Sequence, residues 1–178
     1  MPVPSPQKLA AVRFNRKDEI GPVLQTVIDH VRKQGTRISG YLQREVSDDA
    51  SCCSQTYLEA IASGEKVRIS QPLGSGSRGC RLDPHALTEV SGKVLAELDN
   101  EPDLLVVNRF GRGEADGHGF RSAIEKAFTM GIPVLTAVND EYLEDWRAFG
   151  EDYAAELPAR SEDVLAWCDQ AIVSRSPA

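Results

Sequence analysis

The chain has 178 residues, 41% of them hydrophobic and 26% charged, with a formal net charge of −7. That length and apolar content suit one globular domain with a sizeable core, residues 9–173, between short tails at 1–8 and 174–178. The acidic balance excludes nonspecific attraction to nucleic acid or an anionic membrane surface, both of which need a basic face, so an anion site must be built locally.

The first residues, Met1-Pro2-Val3-Pro4-Ser5-Pro6, have no apolar core of the signal-peptide kind, and no later run nears the ~20 apolar residues of a membrane span. A cytoplasmic location is expected, with reduced thiols at Cys52, Cys53, Cys80 and Cys168. These cysteines lack Cys-x-x-Cys spacing. Convergence of Cys52, Cys53 and Cys80 on a soft metal stays open beside the plainer reading of small buried residues.

Leu9-Ala10-Ala11-Val12-Arg13-Phe14 predicts a strand, and Val23, Leu24, Val27, Ile28 and Val31 recur at helical spacing until Gly35. The turn between them, Asn15-Arg16-Lys17-Asp18-Glu19-Ile20-Gly21, stands where a phosphate-binding loop would stand. It lacks the glycines, lysine and hydroxyl of Gly-x-x-x-x-Gly-Lys-Ser/Thr, and Asp18 and Glu19 would repel a triphosphate. A second strand is expected at residues 37–43, a short helix around residues 57–62, and a strand at residues 66–70.

The most distinctive stretch follows: Gly74-Ser75-Gly76-Ser77-Arg78-Gly79-Cys80-Arg81-Leu82-Asp83-Pro84. Glycines let backbone N–H groups turn toward one point, and the two guanidinium forks suit the oxygens of a tetrahedral anion. The expected cradle comprises Gly74, Gly76, Ser77, Arg78, Gly79 and Arg81. Asp83 and Pro84 then read as N-cap and first residue of a helix whose Leu87, Val90, Val94, Leu95 and Leu98 share a face. Arg81, two residues before that cap, is expected to matter more than Arg78, because a helix N-terminus already favours an anion.

Leu104-Leu105-Val106-Val107 reads as a central parallel strand, and Asn108 and Arg109 at its end form the expected second wall of the site. In the glycine-rich loop beyond, Glu114 is suited to orient an arginine or a water. His118 suits an exposed proton-transfer group, yet no Ser-His-Asp or Cys-His arrangement can be assembled around it. A helix containing Phe120, Ile124, Ala127 and Phe128, a buried strand at residues 132–138, and helices at residues 142–149 and 161–172 complete the chain. Trp146, Phe149 and Trp167 are expected to cap the core or an interface, which leaves homo-oligomers open.

This alternation implies a three-layer α/β fold with a mostly parallel sheet and ligands beyond the carboxyl ends of its strands. Ile69-Ser70-Gln71-Pro72-Leu73-Gly74, the run from Ser77 to Asp83, Val106-Val107-Asn108-Arg109-Phe110-Gly111 with Glu114-Ala115-Asp116-Gly117, and Gly131-Ile132-Pro133-Val134-Leu135 together resemble an uncharacterised bacterial family. That family is related to the P-loop nucleoside-triphosphatases and is commonly associated with molybdate transport or nitrogen-fixation genes. The resemblance implies a P-loop-NTPase-like scaffold with a degenerate phosphate loop, and molybdate or tungstate as ligand. A non-hydrolytic oxyanion-binding protein is the leading expectation. A divergent nucleotide-binding protein or NTPase and a protein-interaction module are the alternatives.

Overall fold

The computed structural model describes residues 7–46, 55–72 and 80–173. Its nine strands and six α-helices run β1 (Leu9–Phe14), α1 (Ile20–Lys33), β2 (Ile38–Val46), β3 (Gln55–Ala60), β4 (Lys66–Arg68), β5 (Ser70–Pro72), β6 (Cys80–Leu82), α2 (Pro84–Glu97), β7 (Leu104–Val107), α3 (Arg112–Ala115), α4 (Arg121–Thr129), β8 (Val134–Asn139), α5 (Leu143–Gly150), β9 (Ala154–Pro158) and α6 (Ser161–Val173) among the described residues. Seven strands form one sheet in the order β4-β3-β2-β7-β8-β1-β9, and β5 pairs with β6 in a separate ribbon. Pairing across β2, β7, β8, β1 and β9 is parallel, while β2-β3 and β3-β4 are antiparallel. The mostly parallel α/β expectation is met.

Strand alternation divides the core into two layers. Leu9 and Ala11 of β1, Leu105 and Val107 of β7 and Val134 and Val138 of β8 face α2, α4 and α5, whereas Ala10, Val12, Leu104, Val106, Leu135 and Ala137 face α1 and α6. Both faces of the central strands are buried, which is why β7 reads as an unbroken apolar run and β8 as one interrupted only by the buried Thr136 before its end at Asn139. Close packing of β2 on β7 depends on Gly40, with φ +116°, where an added Cβ would lie 1.8 Å from the Val106 carbonyl oxygen.

Two segments differ from expectation. The stretch expected as a helix at residues 57–62 is β3, because Leu58 and Ala60 are buried while the alternating Tyr57 and Glu59 are only half-buried, a period of two that pairing with β2 and β4 fixes. The β9 strand lies at the sheet edge and pairs with β1. Its Ala-Ala-Glu-Leu-Pro sequence is too short and mixed to announce a strand without that partner.

Candidate functional site

A cleft of about 920 Å³ opens beyond the carboxyl ends of β2 and β7, on the α2 side of the sheet. One wall is α2, where Leu87, Ser91, Gly92 and Leu95 fall along a single stripe. Leu58 and Ile69 lie opposite, and the loop from Asn108 to Phe120 closes the end. Leu87 and Leu95, on the apolar face expected for the helix, are half-buried and line this opening, while Val90, Val94 and Leu98 on the same helix are fully buried.

Asn108 and Arg109, both expected at the site, line the cleft. Asn108 is buried, and Arg109 extends along the sheet edge with its guanidinium carbon 5.4 Å from the centre of the Phe14 ring. Between them and the rest of the loop, Phe110 anchors the chain. Its N–H donates to the Ala137 carbonyl at 2.8 Å, and its ring packs edge-on against Trp146 at 5.3 Å. The strand end is thereby fixed, with Asn108 at the cleft and Arg109 at its rim, reaching across the sheet edge to Phe14.

Glu114 does something the sequence reading did not assign. Its carboxylate accepts from the Gly111 N–H at 3.0 Å and from the Phe120 N–H at 3.1 Å. Both oxygens thus tie the two ends of the loop together from a buried position. Gly119, at φ +59°, makes room, since a Cβ there would meet Glu114 Oε1 at 2.3 Å. Ser91 Oγ donates to the Gly119 carbonyl at 3.1 Å and joins the loop to α2. His118 is exposed on the cleft rim, and its N–H donates to the Gly113 carbonyl at 2.7 Å.

Arg81 lies in β6 opposite Gln71, two residues before the helix cap. Asp83 caps α2 as the sequence indicates, accepting from His85 N at 2.9 Å and Ala86 N at 3.3 Å, while Leu87 N donates to the Asp83 carbonyl. Pro84 has no N–H. The first-turn donors expected to attract an anion beside Arg81 are therefore already occupied by Asp83. Burial works to raise the Asp83 pKa, but hydrogen bonds from Ala86, Gln71 and His85 outweigh it and bring the carboxyl below its ordinary value. Gly74, Gly76, Ser77, Arg78 and Gly79 lie outside the described residues, as do Cys52 and Cys53. Among the described residues, no group of three or more His, Cys, Asp and Glu is placed to hold a metal ion.

The β1–α1 turn is closed on itself. Asp18 accepts from the Asn15 N–H at 2.9 Å, the Asn15 side chain accepts from the Lys17 N–H at 2.8 Å, and the Asn15 carbonyl accepts from the Asp18 N–H at 3.1 Å. The Asn15, Lys17 and Asp18 amides are thus satisfied within the turn, with a carboxylate in their midst.

A family model described as "Protein of unknown function (DUF2478)" matches residues 9–167. A curated relative from Bradyrhizobium diazoefficiens, the "Molybdenum import ATP-binding protein ModC 2", is 34% identical over 164 residues, covering 91% of this chain. The chain spans 18% of that protein's length. Among solved structures, THEP1 from the hyperthermophile Aquifex aeolicus aligns with a TM-score of 0.59 at 11% identity, over 95% of this chain and 100% of that one. That likeness concerns the fold alone and agrees with the P-loop-NTPase-like scaffold.

Proposed function

The chain belongs to this family of unknown function, and from that premise we propose that it is a non-hydrolytic binding protein for a small oxyanion, with molybdate or tungstate the favoured ligand. The observation that carries the reading is the charge arrangement of the cleft. Arg109 and Arg112 bring guanidinium groups to its lining, Arg112 paired with Asp116 at 3.7 Å, and the single described acid among that lining, Glu114, has its carboxylate turned onto backbone N–H groups. In a chain of net charge −7, a lining whose acid is turned inward and whose Arg109 has its guanidinium at the rim suits an anion better than the acidic surface around it. A smaller groove of about 580 Å³ at the ends of β1 and β9 lacks this bias, since Asp18, Asp140 and Glu156 line it with Arg13 and Arg160.

Two further facts support the reading. The β1–α1 turn has no lysine or hydroxyl at phosphate-loop spacing and has its Asn15, Lys17 and Asp18 amides occupied, which argues against hydrolysis there. The curated relative is named as an ATP-binding protein of molybdenum import, which supports the link to molybdenum. Arg78 and Arg81 enter the proposal as a second source of charge, because β6 leads directly into Leu82 and Pro84 on the cleft wall. The function is expected in the cytoplasm. Magnesium-dependent phosphate release from ATP or GTP is the decisive check on the non-hydrolytic part: the reading expects none above the buffer rate, and turnover abolished by substitution within residues 15–21 would overturn it.

A further inference from the structure

The cleft is larger and more apolar than a bare oxyanion needs. A tetrahedral oxyanion fills about the space of three waters, roughly 90 Å³, whereas the opening measures about 920 Å³, near the upper end of the range for organic ligands. Its charged groups gather at one end, on the loop after β7. Away from that end Leu87 and Leu95 line the helix side beside Thr88, and the sheet side is Leu58 and Ile69, both nearly buried, with Gln43 and Thr56. Two mainly apolar walls facing each other with cations at one mouth form a slot for a flat body with an anionic head.

Gly92 points the same way. It lies inside α2, where glycine is less favourable than alanine, yet a Cβ added there would meet nothing within 4 Å. Folding therefore does not require glycine at this position. The missing side chain opens the slot down to the helix backbone beside Ser91.

We propose that the cleft binds a planar heterocycle bearing a phosphate or comparable oxyanionic group, the ring lying between α2 and the sheet over Gly92 and the anion held at the Asn108–Arg109 end. This rests on the cleft being the oxyanion site, as proposed above. The ring adds affinity through the apolar walls, and the rim supplies orientation and charge.

The test is calorimetry on the full chain with four probes: AMP, riboflavin 5′-phosphate, inorganic phosphate and molybdate, each against the native protein, Gly92→Leu, Gly92→Ala and Arg109→Ala. The expected result is that at least one ring-bearing phosphate binds tighter than inorganic phosphate by about tenfold or more. Gly92→Leu should erase that advantage and Gly92→Ala should reduce it partly, with bare-anion affinity near native and the melting temperature native or slightly higher, since both residues are better helix formers than glycine. Preference for AMP or for the flavin phosphate identifies a nucleotide or another heterocycle as the source. Bare anions binding as tightly as ring-bearing ones, or Gly92→Leu without effect on the ring-bearing probe, overturns the inference and leaves the oxyanion reading intact. If no probe binds, the oxyanion reading fails as well.

Discussion

Removing the Glu114 carboxylate should loosen the loop that closes the cleft, and the size of the effect can be worked from two hydrogen bonds. The Phe120 N–H, bonded at 3.1 Å, belongs to a buried residue, so Glu114→Ala leaves that donor without a partner. The Gly111 N–H, bonded at 3.0 Å, is less enclosed and can turn to water. Hydrogen bonds to a charged group contribute about 1.5–3 kcal/mol each, and exposure of the second reduces its share, so Glu114→Ala should cost about 2–4 kcal/mol. For a domain of this size that is a fall in melting temperature of roughly 5–15 °C. Glu114→Gln keeps one acceptor oxygen but presents an amide N–H₂ to the other donor, and should fall between native and alanine. Urea unfolding followed by far-ultraviolet circular dichroism reads the series. Values for both variants within about 0.5 kcal/mol of native, the range of ordinary surface substitutions, would refute the account of Glu114 as the brace of this loop.

Gly40→Ala should be far more damaging, by several kcal/mol, because the new methyl would overlap the Val106 carbonyl in the middle of the sheet; recovery of soluble protein with a native melting temperature would contradict that packing. Asp83 has a depressed carboxyl pKa, so its contribution is fully present above the unfolded value of 3.8 and is lost as pH falls through the lower folded value. Asp83→Asn, which keeps an acceptor for the cap, should flatten that acid limb of the stability-pH curve, and an unchanged limb would show that Asp83 does not contribute to it. Cys168 is fully buried and its thiol is pushed up to about 12, mainly by burial, with Asp169 adding to it. It should resist alkylation at pH 8 in the native protein and react on unfolding, as peptide mapping would show; rapid native labelling would mean that α6 opens readily.

The parts of the fold that could be read from sequence are those whose signals are local. β1, β7 and β8 are apolar because both of their faces are covered, and α2 is marked by Asp83 and Pro84, whose capping chemistry needs no tertiary partner. β3 and β9 exist through pairing with β2 and β1, and neither carries a strong pattern alone. The same division holds at the site. Asn108 and Arg109 follow the strongest strand and could be placed at its carboxyl end. The role of Glu114 depends on a loop closing so that Gly111 and Phe120 meet one carboxylate, which spacing does not reveal, although a Gly-x-x-Glu capping pattern was available as a hint. Leu87 and Leu95 were indistinguishable from core residues because an apolar stripe does not say whether protein or a cleft covers its flank.

The most direct test of the central claim is titration calorimetry of molybdate and tungstate, with phosphate and sulfate alongside, into the native protein and Arg109→Ala. The account predicts saturable one-site binding of at least one of these anions by the native chain, weakened about tenfold or more when the Arg109 guanidinium is removed, with the melting temperature unchanged. Absence of heat with all four anions, or binding that is indifferent to Arg109, would contradict an oxyanion site at the end of β7.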